Sequence, residues 1–290
     1  MERFAPRGDA SDYLEMQDSF DAFAASYLFV PGSRPDRIAK ALDCGAHAVI
    51  VDLEDAVAPG EKIRARHQTA AWLKDNPGRH ILLRINSAGT DWHEEDLKVA
   101  AAPNVSAVVI PKAEHAEALS IVSGKTLLPI IESALGFSNL ASIASHPGTS
   151  RLIFGTYDLR ADLGLGPSAE ALLYFASSLV LASRVAGLAP PIDGVMADLS
   201  NDTGWLAEAR RARGLGFGGK LCIHPRQVAP VNKGFAPTGA EIAWAQNVVK
   251  SAGEAATAVV DGQFVDRPIL VRAQSIIRQS GRTQPGRGKH

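Results

Sequence analysis

Short apolar runs in this chain repeatedly end on a charged or polar residue. The closing residues, in chain order, are Asp52 with Glu54 and Asp55, then Arg84, Lys112, Glu132, Asp158 and His224. Helix-like stretches separate these runs, which is typical of parallel strands joined by helices. Because parallel strands of a closed barrel present their carboxyl ends on one face, the pattern predicts a rim of polar side chains there.

Eight apolar runs before about residue 234 are interpreted as strands, and each of the first seven is followed by a helix-like stretch. They cover residues 27–30, 47–53, 80–85, 106–110, 126–131, 151–154, 191–196 and 219–223. Eight such repeats favour a (β/α)8 TIM barrel, an α/β fold. An open doubly wound sheet is the alternative, but its glycine-rich turn is replaced here by VPGSRP after the first strand.

Four segments follow from this pattern. We expect a loosely held, disordered N-terminal extension over residues 1–24 and the catalytic barrel over residues 25–234. Residues 235–280 contain two helix-like stretches around a turn, DGQFVDRP, and are expected to form a C-terminal helical lid or oligomer contact. The basic end, residues 281–290, is expected to be disordered.

Composition restricts the classes of function. The 290-residue chain has 30 Lys and Arg against 31 Asp and Glu residues, which argues against binding to nucleic acid or to an acidic membrane. Cys44 and Cys222 have no disulfide or metal-site spacing, and no serine elbow, Walker loop or HExxH motif occurs. The start of the chain lacks a secretion signal, and the longest apolar stretch is too short to span a bilayer, so we expect a cytoplasmic protein.

Glu132 and Asp158 follow consecutive predicted strands, so they should lie side by side at the mouth of the barrel. Mg²⁺ is usually held by one or two carboxylates together with substrate oxygens and water, so the pair predicts a magnesium site. The alternative is structural. Both residues precede predicted helices and would then be N-caps, a role that suits Asp better than Glu.

The acidic cluster of Asp52, Glu54 and Asp55 comes directly after the second predicted strand. Side-chain alternation aims these residues differently, so we expect them to support a metal-bound water or to fix Arg84. Arg84 ends an apolar strand, where a guanidinium needs a substrate or a carboxylate partner, and both can apply. In the alternative, the acids pair with basic residues of the next helix, namely Lys62, Arg64 or Arg66.

Other candidates carry less information by position alone. Arg34 and Lys40 flank the first loop and helix and could bind phosphates or a carboxylate, although solvated surface charge is the commoner explanation for any single lysine. His224 precedes a proline after the last strand and is structural or catalytic with equal weight. The Gly218-Gly219 pair indicates a close approach to the backbone, which we expect to involve a ligand.

Several segments together resemble a known family. They are YLFVPGSRPDRIAKAL, DAVAPGEKIRAR, LLRIN, VIPKAE, PIIESALG, FGTYDL and GKLCIHPRQV, which occur in this order between Tyr27 and Gln279. The chain resembles the citrate lyase β-subunit-like family of the HpcH/HpaI aldolase superfamily, whose members include malyl-CoA, β-methylmalyl-CoA and citramalyl-CoA lyases. The resemblance is specific for the family and does not identify the substrate.

The resemblance implies a barrel enzyme that binds one Mg²⁺ per site and cleaves a carbon–carbon bond of a 3-hydroxyacyl thioester. It implies that Glu132 and Asp158 are metal ligands and that Arg84 contacts the substrate carbonyl. It implies that Asp266 is a catalytic aspartate supplied to the site of a neighbouring subunit, in a homotrimer or a pair of trimers. The positions that it assigns to coenzyme A are Phe29, Arg34, Lys40, Ile223 and His224.

The expected reaction is a retro-Claisen cleavage that releases a 2-oxo acid and an acyl-CoA. Arg84 would stabilise the thioester enolate and Asp266 would deliver or relay the proton that quenches it. Three different activities remain open: a class II aldolase on free hydroxy-keto acids, a malyl-CoA thioesterase, and a citrate lyase-type subunit acting on an acyl-carrier thioester. The sequence does not identify the hydroxy acid of the substrate, and it does not distinguish a trimer from a hexamer.

Overall fold

Eight parallel strands form a closed barrel in chain order in the computed structural model of this chain, which describes residues 24–120, 122, 124–252, 258–260 and 263–282. β8 pairs with β1, with Tyr27 opposite Leu221, and this pairing closes the barrel. The prediction of a (β/α)8 barrel is confirmed, and the open sheet is excluded. The strands are β1 Ser26–Pro31, β2 Ala48–Asp52, β3 Ile81–Arg84, β4 Val105–Ile110, β5 Thr126–Ile131, β6 Ile153–Phe154, β7 Ile192–Asp193 and β8 Gly219–Cys222.

Helices follow the strands along the chain. They are α1 Ile38–Leu42, α2 Lys62–Asp75, α3 His93–Ala100, α4 Ala116–Leu119, α5 Ala134–Ser138, α6 Leu140–Ala144, α7 Thr156–Leu163, α8 Leu173–Val185, α9 Asp202–Leu215 and α10 Val228–Phe235. No helix in the described part of the chain has the length and apolar character needed to cross a membrane.

Alternate positions on the strands fill the interior of the barrel with apolar side chains. Those on the strands are Tyr27, Ala48, Ile50, Leu82, Ala107, Val109, Leu128, Ile130, Ile153, Ile192 and Leu221. Because side chains on a strand repeat every second residue, the next inward position after Ile50 is Asp52, and after Ile130 it is Glu132. The hydrophobic alternation that builds the core therefore also directs polar groups into the carboxyl-terminal mouth.

A buried arginine closes the opposite, amino-terminal end of the barrel. The Arg151 guanidinium donates hydrogen bonds to the hydroxyl of Tyr27 (2.6 Å) and the carbonyl of Pro190 (2.5 Å). A Cβ on Gly218 would lie 2.6 Å from Arg151 Nη2. The Gly218-Gly219 pair therefore leaves space for this arginine, and the expectation that it approaches a ligand is wrong.

A second compact unit begins at Phe235. Its elements are α11 Gly239–Ala252, the antiparallel strands β9 Ala258–Val260 and β10 Gln263–Val265, and α12 Arg267–Arg282. Ala245 and Val248 of α11 pack with Ala273 and Ile276 of α12 in its core. The predicted N-terminal extension, apart from its last residue, and the C-terminal tail beyond Arg282 lie outside the described residues.

Candidate active site

A cavity of about 360 Å³ opens at the carboxyl-terminal end of the barrel strands. Its walls combine carboxylates and one guanidinium with apolar side chains such as Ile130, Val195 and Leu221. The predicted site residues that line it are Phe29, Asp52, Asp55, Arg84, Glu132, Asp158 and Ile223. Residues from several different strands and their following loops therefore meet in one space.

Arg84 is the centre of a buried ion-pair cluster. Its Nε and Nη2 donate to the two carboxylate oxygens of Asp52, at 2.8 and 2.6 Å. Nη1 lies 2.9 Å from Glu54 and 3.6 Å from Asp55, and the guanidinium lies 4.8 Å from the ring centre of Phe29. The predicted pairing of Arg84 with the acidic cluster is confirmed.

Three carboxylates lie around the Arg84 guanidinium, and a second cation, Lys112 Nζ, lies 3.9 Å from Glu54. Burial raises the pKa of Glu54 to about 7, although the Arg84 charge acts in the opposite direction. Asp52 also accepts the backbone N–H groups of Glu54 (2.8 Å) and Ala56 (3.2 Å), which folds the following loop around the guanidinium. Arg84 is thereby held in one orientation at the cavity wall.

The buried side chain of Lys62 holds the loop that follows β2. Lys62 Nζ donates to the carbonyls of Leu53 (2.9 Å) and Glu54 (2.7 Å) and to Oδ1 of Asn86 (2.7 Å). Arg64 and Arg66, the other two alternative partners of the acidic cluster, form ion pairs elsewhere. Arg64 pairs with Glu61, and Arg66 pairs with Asp96. The alternative in which the acids pair with the next helix is therefore wrong, because Lys62 binds backbone carbonyls and not the carboxylates.

Glu132 lies directly after β5, and its side chain is buried. The backbone N–H of Lys112 donates to its Oε1 at 2.6 Å. Burial raises the pKa of Glu132 to about 8, and the charge of Asp158 acts in the same direction. The N-cap alternative for Glu132 is wrong, because Ser133 caps α5 by accepting the N–H of Gly136 at 3.1 Å.

Sequence reasoning missed the role of Lys112. It has φ of 49°, and among the described residues no other non-glycine has a left-handed backbone conformation. Such a conformation is costly for a residue with a side chain and is found most often at functional sites. Its N–H is thereby aimed at the Glu132 carboxylate, and no sequence signal distinguishes this lysine from any other residue after a strand.

Asp158 lies in the first turn of α7, so the alternative that it is an N-cap is wrong; Gly155 occupies that position. A Cβ on Gly155 would lie 2.3 Å from Cβ and 2.6 Å from Oε2 of Glu132. Only glycine therefore lets the backbone that follows Phe154 pass so close to the Glu132 side chain. A glycine directly after a strand, as in FGTYD, is the signal that could have predicted this contact.

Replacing Gly155 with alanine is expected to lower the free energy of unfolding by about 1–3 kcal/mol, the usual cost of overpacking. The matched control is Gly166→Ala, since a Cβ there meets no atom within 4 Å. It should change the free energy by less than about 0.5 kcal/mol. Urea denaturation of both variants measures the difference, and equal effects would contradict the contact between Gly155 and Glu132.

The cavity lining does not include three of the five residues that the resemblance assigns to coenzyme A, namely Arg34, Lys40 and His224. Arg34 is exposed and forms two hydrogen bonds of 2.8 Å with Asp36, and Lys40 is exposed on α1. His224 begins a 3-10 helix, where its ring Nδ1 accepts the N–H of Arg226 at 3.1 Å. This contact gives His224 a structural role at the end of β8.

Asp266 lies in the second unit. Its carboxylate accepts the N–H of Ile269 at 3.2 Å, so it caps the amino-terminal end of α12. The predicted catalytic aspartate therefore has a defined structural role within its own chain.

Glu132 and Asp158 are the candidates for holding a cation, because both face the same cavity. No cluster of three or more His, Cys, Asp or Glu side chains suited to a metal occurs in the described part of the chain. Two carboxylates with open positions match Mg²⁺, which usually keeps several waters or substrate oxygens. A divalent cation would also offset the cost of ionising Glu132 in its buried position.

Comparison with known proteins identifies the family of the chain. Residues 25–225 match the family model HpcH/HpaI aldolase/citrate lyase. The (3S)-malyl-CoA thioesterase of Cereibacter sphaeroides is 35% identical over 268 residues, covering 88% of this chain and 94% of that protein. The citrate lyase subunit beta-like protein of Mycobacterium tuberculosis is 34% identical over 270 residues, covering 90% of this chain and 97% of that protein.

A solved structure is similar over most of the chain. The crystal structure of CitE from Mycobacterium tuberculosis, in complex with magnesium, acetoacetate and coenzyme A, has a TM-score of 0.81 and 32% identity. The similarity covers 90% of this chain and 99% of that chain. The resemblance predicted from the motifs is confirmed: the chain belongs to the HpcH/HpaI aldolase/citrate lyase family, a family of enzymes.

Proposed function

We propose that this protein is a Mg²⁺-dependent lyase that cleaves a 3-hydroxyacyl-CoA thioester into an acyl-CoA and a 2-oxo acid. The observation that carries the proposal is the meeting of Glu132, Asp158 and Arg84 in one cavity. Two carboxylates suit a divalent cation, and a fixed guanidinium suits an oxyanion. The similar CitE structure contains magnesium, acetoacetate and coenzyme A, which is consistent with such ligands.

Glu132 and Asp158 are the proposed magnesium ligands. Lys112 holds Oε1 of Glu132 through its backbone N–H, which leaves the second oxygen, beside Gly155, as the donor. When bound, Mg²⁺ would supply Lewis-acid activation of the oxygens of a hydroxy or oxo acid. Burial of Glu132 excludes water from one side of this carboxylate and fixes its direction.

Arg84 is the proposed group that stabilises the developing enolate oxygen of the thioester. Its side chain is only 11% exposed, so its charge acts in a partly water-excluded space. The two hydrogen bonds to Asp52 hold the guanidinium plane before any substrate binds. A positioned cation of this kind needs no reorganisation during the reaction, which makes it effective in catalysis.

The remaining proposed roles are those that the resemblance to the family implies. Phe29 and Ile223 line the cavity and would contact coenzyme A or its acyl group, with His224 beside them. Arg34 and Lys40 are exposed cations suited to its phosphates. Asp266, supplied by a neighbouring subunit of a homotrimer or pair of trimers, would deliver the proton to the enolate carbon.

The test is product analysis with malyl-CoA and (S)-citramalyl-CoA in the presence of Mg²⁺. We expect acetyl-CoA with glyoxylate or pyruvate, and a loss of rate of at least about a hundredfold in EDTA. Free CoA with malate would instead show a thioesterase, the second candidate, which the similarity to the Cereibacter sphaeroides enzyme favours.

The same product analysis, repeated with two other kinds of substrate, distinguishes an aldolase and a carrier-dependent subunit from the proposed lyase. Turnover of a free hydroxy-keto acid with no turnover of the thioester would favour a class II aldolase. Turnover only of a thioester carried on an acyl-carrier protein would favour a citrate lyase-type subunit. Either result would contradict the proposed CoA-thioester lyase.

A further inference from the structure

The cavity wall beside the proposed metal ligands is apolar. Ile130 belongs to the interior cluster of the barrel and precedes Glu132 by two positions, so both side chains are on the inward face of β5. A Cβ on Gly155 would lie 3.0 Å from Cγ2 of Ile130 and 2.3 Å from Cβ of Glu132. The Ile130 side chain therefore lies next to Glu132, on the side of the cavity where the cation would be held.

Val195 extends this apolar surface from the loop after β7. It is half-buried, packs against the interior cluster of the barrel and lines the cavity. The preceding residue, Gly194, lies against the start of α7, because a Cβ there would lie 2.5 Å from Oγ1 of Thr156. This places Val195 near the helix turn that carries Asp158. Together, Ile130 and Val195 form the apolar wall of the cavity.

The charges at the cavity provide no partner for an additional carboxylate. Among the described residues that line it, Arg84 is the only one with a basic side chain. Its guanidinium already lies 2.6 Å from Asp52, 2.9 Å from Glu54 and 3.6 Å from Asp55. Lys112, the second cation of this cluster, is not a lining residue and lies 3.9 Å from Glu54. A second carboxylate on a substrate would therefore lose hydration without gaining a cation of its own.

We propose that the apolar wall selects a substrate with one free carboxylate and a small apolar substituent on the carbon that carries the hydroxyl. This inference rests on the proposed function, in which the cation holds the hydroxyl and the carboxylate of that carbon at Glu132 and Asp158. The remaining substituent is bonded to the same carbon, so it lies beside the bound oxygens and meets the wall. A methyl or ethyl group is compatible with Ile130 and Val195, and a carboxymethyl group is not.

The product follows from the bond that breaks. Cleavage between the hydroxyl-bearing carbon and the carbon next to the thioester turns the hydroxyl into a keto group with loss of its proton. The electron pair of the broken bond goes to the thioester fragment, which takes up a proton at carbon. The other fragment is a 2-oxo acid with a single carboxylate, such as pyruvate or 2-oxobutyrate, and not the dicarboxylate oxaloacetate.

The first test is isothermal titration calorimetry of the full chain in the presence of Mg²⁺. The ligands are pyruvate, 2-oxobutyrate and freshly dissolved oxaloacetate, and the last two differ only by a methyl group in place of a carboxylate. A single methylene in an apolar pocket changes binding by about 10–200-fold, so 2-oxobutyrate should bind at least about tenfold more tightly than oxaloacetate. Oxaloacetate that binds as tightly as 2-oxobutyrate overturns the inference, and so does the absence of binding by all three acids.

Product analysis with citramalyl-CoA and citryl-CoA separates failure of this inference from failure of the proposed function. Cleavage of citryl-CoA as fast as citramalyl-CoA would support the lyase and overturn selection by the wall. Preferential binding of 2-oxobutyrate without cleavage of any CoA thioester would support selection by the wall and contradict the lyase.

The second test changes the wall itself. Val195→Lys supplies a cation there and should reverse the preference, so that oxaloacetate binds more tightly than 2-oxobutyrate. Val99→Lys is the matched control, because Val99 is a half-buried valine on α3 that does not line the cavity, and it should keep the wild-type ratio.

A milder variant keeps the test valid if Val195→Lys does not fold, which circular dichroism checks. Val195→Thr has nearly the same shape and adds a hydroxyl, whose desolvation should weaken the binding of 2-oxobutyrate by at least about threefold. The binding of oxaloacetate should not weaken. Affinity ratios equal to that of the wild type in every folded Val195 variant overturn the inference.

Discussion

Replacing Arg84 with methionine is expected to lower the free energy of unfolding by about 3–5 kcal/mol at pH 8, the usual cost of removing one partner of a buried ion pair. The reason is that Asp52 and Glu54 would remain buried without their cation, since their side chains are only 1% and 7% exposed. Methionine keeps most of the side-chain volume, so a cavity contributes little. The same variant should lose catalytic activity, because Arg84 lines the cavity.

The loss should depend on pH in a defined direction. Burial raises the pKa of Glu54 to about 7 even with Arg84 present, and removal of the Arg84 charge raises it further. A carboxyl group with a raised pKa stabilises the folded protein at low pH and loses this contribution as it ionises. The deficit of Arg84→Met should therefore be smaller at pH 5 than at pH 8.

The control is Arg64→Met, which removes an exposed arginine paired with Glu61. An exposed pair contributes less than about 1 kcal/mol, so this variant should resemble the wild type at both pH values. Urea denaturation at pH 5 and pH 8 measures all three proteins. A similar loss in the two variants would show that the buried cluster does not stabilise the fold.

The sequence predicts the barrel because its strands are buried and apolar. Each run from residues 27–30 to residues 219–223 corresponds to an observed strand, and their number favours closure. The same alternation predicts which polar residues enter the mouth, as for Arg84 and Glu132, because inward positions repeat every second residue. These predictions depend only on local periodicity, which a single sequence contains.

The predictions that failed depend on contacts between distant parts of the chain. The expectation that Lys62 pairs with the acidic carboxylates is wrong because the loop presents its carbonyls to the ammonium group. The Gly218-Gly219 pair lies against Arg151, a residue from another part of the barrel. Local sequence also gives no sign of the left-handed backbone at Lys112, because the contact that accompanies it is with Glu132 after the neighbouring strand.

Replacing Glu132 with glutamine is expected to stabilise the metal-free protein at high pH. Burial raises the pKa of Glu132 from 4.5 to about 8, so its stabilising contribution is complete below pH 4.5 and is lost as the pH rises through 8. Each pKa unit corresponds to about 1.4 kcal/mol, so ionised Glu132 costs the fold on the order of 5 kcal/mol. Glutamine resembles the protonated acid and can still accept the Lys112 N–H, so the free energy of unfolding of the variant should fall less than that of the wild type between pH 5 and pH 9.

Magnesium should narrow the difference in stability between the wild type and Glu132→Gln. A ligand that binds only the folded state stabilises it by about 2.7 kcal/mol at a hundred times its dissociation constant, and Mg²⁺ should do so for the wild type at pH 8. Glu132→Gln lacks one of the two proposed ligands, so its melting temperature should not respond to Mg²⁺. Glu94→Gln, which changes an exposed carboxylate on α3, is the control and should keep the wild-type response. A stabilisation of Glu132→Gln by Mg²⁺ equal to that of the wild type would place the ion elsewhere, because the cation would then not require the carboxylate at the end of β5.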